Sequence, residues 1–180
     1  MKWLAAALCA VAYVALFELN RLVFSVEHSW GVHYIFLPAG ARLFAVLLLG
    51  VWGALGITLG SIYLVLQMGS PAGLAGVVLV GVISGFSPLL ARDLAQRVLR
   101  IDTDPRRLSG ASLFKLSLLF AVVSPLLHQL WFFGTGQSPQ PVQAFAVMAV
   151  GDLAGTMIFL YAVKVIDSIV LGLGGLRRRS

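Results

Sequence analysis

A single cysteine, Cys9, stands among 180 residues. No internal disulfide is therefore possible, and no cysteine-based metal site can be built. Charge is also scarce. Only 11% of residues are Asp, Glu, Lys or Arg, against about 25% in an ordinary soluble domain. The sequence has no glycine-rich phosphate loop, no GxSxG and no HExxH. It also lacks any His/Asp cluster with metal-ligand spacing. Nothing in it reads as an enzyme, and no cofactor is implied. Polar stretches long enough for a separate soluble domain are missing too.

What fills the chain is apolar. Hydrophobic residues make up 59%, and the mean hydropathy is +0.96. No soluble fold of this size hides so much apolar surface, so lipid must cover the remainder. The formal charge is +6, but the basic residues sit at the ends of apolar runs rather than interleaved with aromatics. That is the placement of membrane topology, not of nucleic-acid binding.

The start, MKWLAAALCAVAYVALF, has the Lys and apolar core of a signal peptide. Because the run continues to Phe24 and more apolar runs follow, it reads as a retained first helix. AALC is similar to a lipoprotein box, but Leu8 stands where a small residue belongs, and Cys9 reads as a small buried group.

Hydropathy gives an all-α, polytopic transmembrane bundle of about six spans. They run over 3–24, 34–49, 54–68, 72–90, 111–133 and 142–166. The second and third are short for the roughly 20 residues a crossing needs, and only a four-residue turn joins them. The whole chain, 1–180, forms one membrane domain, with a basic loop at 91–110 and a basic tail at 172–180. The segments 25–33, 69–71 and 134–141 carry no Lys or Arg. Arg92, Arg97, Arg100, Arg106, Arg107, Arg177, Arg178 and Arg179 all fall on the other side. The positive-inside rule then places both termini in the cytoplasm. Arg92, Arg97, Arg100, Arg106 and Arg107 are topology and lipid-headgroup residues, or a docking surface for a soluble partner.

Gly56–Gly60 and Gly81–Gly85 have the GxxxG spacing that lets helices approach closely, and they read as internal packing. Pro38, Pro88 and Pro125 fall within spans, and each frees a backbone carbonyl. Lys164 and Asp167 share a helix face near the inner end of the last span, where Lys164 snorkels to headgroups. His28 and His33 flank Trp30 in the first outer segment. That pattern suits an interfacial segment anchored by Trp30 and Tyr34 better than a metal site.

The most informative residues are Arg42 and Asp152, opposite charges inside apolar stretches. An ionisable group there costs roughly 2.5–3.5 kcal/mol on insertion scales unless it is paired or hydrated. Arg42 lies about 12 Å below the outer end of its span, and Asp152 about 15 Å below its own. Glu18 and His128 fall in the outer third of theirs. The four are expected to converge on one buried polar centre, with Asn20, Arg21 and Gln129 at its rim. Arg42 is expected to pair with Asp152. The centre either locks the bundle or binds a ligand or proton. Arg suits a carboxylate or phosphate, because its planar fork donates parallel hydrogen bonds.

A family pattern emerges from these residues. The run Phe36-Leu37-Pro38-Ala39-Gly40-Ala41-Arg42, continuing through Leu47-Leu48-Leu49-Gly50 to Gly56 and Gly60, resembles the opening of bacterial MASE1-type sensor domains. Gly151-Asp152-Leu153-Ala154-Gly155 is similar to that family's GDxxG entry to a late helix. The basic loop followed by SLFKLSLLFAVVSPLL suits the same layout. The resemblance covers about 35–165. It departs from the family in having fewer spans and no attached kinase or cyclic-dinucleotide enzyme. It implies a non-enzymatic sensory or ligand-binding module of the bacterial inner membrane, signalling through a separate membrane or cytoplasmic protein. Two alternatives stay open from the residues themselves. One is a small substrate-binding subunit of a transporter, and the other a structural subunit of a membrane complex.

Overall fold

The computed structural model describes residues 1–24, 26–104 and 107–177. Six helices follow one another: α1 (Lys2–Val23), α2 (Leu37–Leu49), α3 (Val51–Met68), α4 (Gly73–Arg97), α5 (Gly110–Gly134) and α6 (Pro141–Arg177). Five of them are long and apolar enough to cross a membrane; α2, with 13 residues, is not. At 1.5 Å per residue α2 spans about 20 Å. It is nonetheless the most enclosed helix, packed against α1, α3, α4 and α6. The expected second span is thus a short helix packed largely inside the bundle, with Leu48 and Leu49 exposed at its end.

Local chemistry sets the helix ends. Ser109 caps α5 by accepting from the Ser112 N–H at 3.1 Å. Pro38 sits in the first turn of α2, where its missing N–H costs nothing, so it bends no helix. The α2 start is capped from another helix. The Leu37 N–H donates to Asn20 Oδ1 on α1 at 2.8 Å. Between α2 and α3 the chain reverses on Gly50 alone, at φ 58°, a conformation glycine adopts without a Cβ clash.

Two glycine seams hold the long helices together. Gly56 and Gly60 of α3 lie on the backbone of α1 at Ala6 and Ala10. Gly81 and Gly85 of α4 lie on α3 at Ile62, Thr58 and Ala54. Both GxxxG stripes are therefore used inside the bundle. The outward faces, such as Leu4, Leu8 and Val11 of α1, are bare apolar surface.

One element escapes the hydropathy reading. A small antiparallel hairpin, β1 (Glu27–Ser29) and β2 (Val32–His33), follows α1 and turns at Gly31. Trp30 at its tip packs edge-on against Phe132 of α5, with ring centroids 5.6 Å apart. The segment expected to lie at the membrane interface folds onto the bundle as this hairpin. The next stretch of chain runs along α6. Gly151 and Gly155 present bare backbone to His33, Tyr34 and Phe36, and the Phe36 N–H donates to the Gly151 carbonyl at 3.1 Å. The two glycines of the GDLAG run let this strand approach, and Asp152 between them is wholly buried.

A candidate polar cavity beneath the hairpin

Arg42 projects from α2 into the centre of the bundle and is 1% exposed. Its Nε donates to the Ser84 carbonyl at 2.9 Å, and its Nη2 to Ser87 Oγ at 2.7 Å and Ser124 Oγ at 3.0 Å. The carbonyl is free for a specific reason. Ser84 stands four residues before Pro88, which has no N–H to donate back to it. The missing backbone hydrogen bond thus leaves the acceptor that the guanidinium takes. The two hydroxyls come from a repeated run, Ser87-Pro88-Leu89-Leu90 on α4 and Ser124-Pro125-Leu126-Leu127 on α5. The guanidinium carbon lies 5.2 Å from the centroid of the Phe120 ring, a cation–π contact.

His128, one turn after Ser124 on α5, closes the ring of polar groups. Its Nδ1 is 2.8 Å from the Ser124 carbonyl, and its Nε2 is 3.3 Å from Ser84 Oγ. A carbonyl only accepts, so Nδ1 carries the hydrogen.

Asp152 does not complete this network. Both of its oxygens, and Thr156 Oγ1 one turn further on, are buried without a hydrogen bond. Arg42 remains within electrostatic range and Ser124 lies beside it, but the expected direct pair is not made. The reason is competition. Nε and Nη2 are already committed to α4 and α5, while Asp152 approaches from α6.

Glu18 departs further from expectation. The buried face of α1 is Ala6, Tyr13, Phe17 and Asn20, and Glu18 lies about 100° around the helix from Phe17. Its side chain is 46% exposed and pairs with Arg21 at 2.9 Å. Asn20 and Gln129 are buried but do not line the cavity. Asn20 caps α2, and Gln129 Oε1 accepts from Ser138 Oγ at 2.8 Å.

Above Arg42 is a cavity of about 240 Å³. Arg42, Ser84 and His128 form its polar end. Tyr13 and Ser61, whose hydroxyls neighbour one another, form one side. Phe17, Phe36, Leu64, Val80, Phe132 and Met148 supply apolar wall, and Glu27, Trp30, Gly31 and His33 of the hairpin form the roof. Among the described residues, Arg42 Nη1 makes no hydrogen bond to protein, so both of its N–H groups remain available. His33 is stacked on Phe36 at 5.0 Å and meets Phe17 edge-on at 5.9 Å. Burial holds its imidazole below the usual histidine range, while Glu27, 3.7 Å away, pulls in the opposite direction.

The first part of the basic loop is helical, since α4 continues to Arg97. Arg92 is not a free surface cation: its Nη1 donates to the Val46 carbonyl near the end of α2 at 3.2 Å. Arg97 pairs with Asp93 at 3.0 Å and Arg107 approaches Asp102 and Asp104, all at the surface. Arg100 is exposed, with φ 51°. Arg106, Arg178, Arg179 and the side chains of Lys164, Asp167 and Arg177 lie outside the described residues. No group of three or more His, Cys, Asp or Glu that could hold a metal occurs among the described residues.

The serines, Tyr13 and the hairpin were not singled out by sequence reasoning. The repeated Ser-Pro-Leu-Leu was the available signal, because a serine preceding a helix-breaking proline places a hydroxyl and a freed carbonyl together. Comparison with family models, curated proteins and solved structures finds no match.

Proposed function

We propose that this chain is a non-enzymatic ligand-binding module of the bacterial cytoplasmic membrane, with both termini inside and the hairpin outside. On this reading a small molecule enters beneath the hairpin and binds against Arg42. The signal passes to a separate membrane or cytoplasmic protein, as in a stand-alone sensor of the MASE1 type. The observation that carries the reading is the cavity itself. A guanidinium 1% exposed to solvent stands at its floor with Nη1 uncommitted.

A route to the inner face exists on one element. α2 carries Arg42 in the cavity, and its Val46 carbonyl, one turn on, receives Arg92. Movement of α2 on ligand binding would be felt at the base of the basic loop, where the exposed Arg97, Arg100 and Arg107 are available to a partner.

Purification of the full chain from its native membrane in mild detergent tests this. The expected result is a stoichiometric partner whose retention depends on Arg92 and the basic loop. A chain that purifies alone and accumulates substrate with an added energising subunit would replace the sensor reading with the transport-subunit one.

A further inference from the structure

We infer that the cavity takes a compact monocarboxylate with an apolar, preferably aromatic, body; this rests on the reading of the cavity as a ligand site. The argument begins with charge. Arg42 is held by one carbonyl and two hydroxyls, all neutral, and no hydrogen bond joins it to the nearest buried acid. A buried guanidinium is best satisfied by an anion, and Nη1 offers two N–H donors where the cavity begins. Tyr13 and Ser61 add hydroxyls on the adjoining side. Among the described residues, Glu27 is the one acid that lines the cavity, in the hairpin roof with its side chain 40% exposed; Asp152 lies off the lining.

Size and wall chemistry narrow the class. A cavity of about 150 Å³ accommodates benzene, so 240 Å³ has room for roughly ten heavy atoms. The polar groups gather at one end and aromatic and aliphatic side chains form the rest, which suits one charged head and an apolar body. A phosphate fits poorly. With Nε and Nη2 already committed, Nη1 is the one cationic donor left at the polar end, and a single guanidinium does not neutralise a dianion.

The test is ligand-dependent thermal unfolding of the full chain in detergent micelles. Phenylacetate serves as probe, and phenylacetamide and inorganic phosphate as comparisons. Phenylacetate should stabilise saturably and bind at least about tenfold tighter than its neutral amide. Arg42→Lys should weaken it by a similar factor. Asp152→Asn should tighten it, because Asp152 competes electrostatically for the same guanidinium. Should the Arg42 variant fail to fold, Ser61→Leu, which fills the cavity without touching the Arg42 bonds, must abolish binding.

Equal binding of the amide would overturn the anion assignment and leave the ligand-site reading in place. Tighter binding of phosphate, or retention of phenylacetate by Ser61→Leu, would overturn the carboxylate assignment in this cavity. Absence of binding by any probe would overturn the inference outright, and the broader reading would then rest on the native purification alone.

Discussion

The α1–α3–α4 seam and the chamber beside it are built from opposite choices. In the seam, side chains are removed. Gly56 and Gly85 bring backbone against backbone and leave no room for even a Cβ, and Gly60 and Gly81 pack tightly beside them. In the chamber, side chains are long and polar, and the space between Arg42, Tyr13 and the hairpin is left unfilled. The contrast separates what holds the bundle from what it offers. In lipid, where apolar surface has no reason to leave its surroundings, close van der Waals packing supplies helix association. A buried charge supplies little net stability and marks function.

The seam should be the easier region to break. Gly85→Leu would drive a branched side chain into the Ala54 carbonyl and Thr58 of α3. Overpacking against backbone cannot be relieved by a rotamer change, so a loss of about 3 kcal/mol is expected. Denaturant unfolding in micelles would measure it. Gly110→Ala, at a position with nothing within 4 Å, should change stability by less than about 0.5 kcal/mol. Equal changes at both positions would show that the close contact at Gly85 does not control stability, since helix propensity alone would favour both replacements.

Next in size is an asymmetry inside the chamber. Arg42→Met strands the Ser84 carbonyl and the Ser87 and Ser124 hydroxyls, at a cost of about 2 kcal/mol after the relief of burying one charge. Asp152→Asn breaks no hydrogen bond and should cost less than about 1 kcal/mol. A directly bonded pair would show similar losses for the two variants, and a double mutant far from additive. The double-mutant cycle therefore reports whether the two charges touch.

These residues also show how far the sequence could be read. Arg42, Asp152 and His128 were legible as buried because an ionisable group in an apolar run has nowhere cheap to go. Hydropathy likewise drew a span over each of the six helices and flagged α2 and α3 as short; of these two, α3 is long and apolar enough to cross a membrane and α2 is not. Which groups would meet was not legible. Glu18 was drawn into the centre by depth alone. Depth along a helix says nothing of azimuth, and the phase set by Tyr13, Phe17 and Asn20 turns Glu18 to the surface. The Arg42–Asp152 pair was inferred from charge, whereas its geometry depends on two serines and a carbonyl released by Pro88. The hairpin was missed because three- and two-residue strands leave no periodicity to detect.

Pro88 offers a finer test of the chamber. Pro88→Ala restores an N–H one turn from Ser84, and its carbonyl would then be shared between the helix and Arg42 Nε. The helix gains a bond and Arg42 loses part of one, so net stability should move by no more than about 1 kcal/mol. Ligand binding should weaken severalfold as the guanidinium loses its fixed orientation. A binding constant unchanged by Pro88→Ala would mean that the serine hydroxyls alone hold Arg42 in place.

The smallest effect expected is at the roof, through His33. The folded hairpin favours the neutral imidazole, because burial against Phe17 and Phe36 opposes the charged form. A group whose folded pKa is depressed stabilises the fold above its unfolded value, near 6.5 for histidine, and loses that contribution as pH falls below it. The hairpin should therefore loosen from about pH 6.5 downward, while the seam, which no His, Asp or Glu faces among the described residues, stays closed. Glu27→Gln removes the one charge that favours the protonated ring and should depress the histidine further, deepening the loss of hairpin stability in acid. His33→Phe should abolish the pH dependence and keep the stack. Thiol-labelling of a Ser29→Cys variant between pH 5 and 8 reads the hairpin directly. Labelling that rises in acid in the His33→Phe background as well would show that a group other than His33 opens the hairpin.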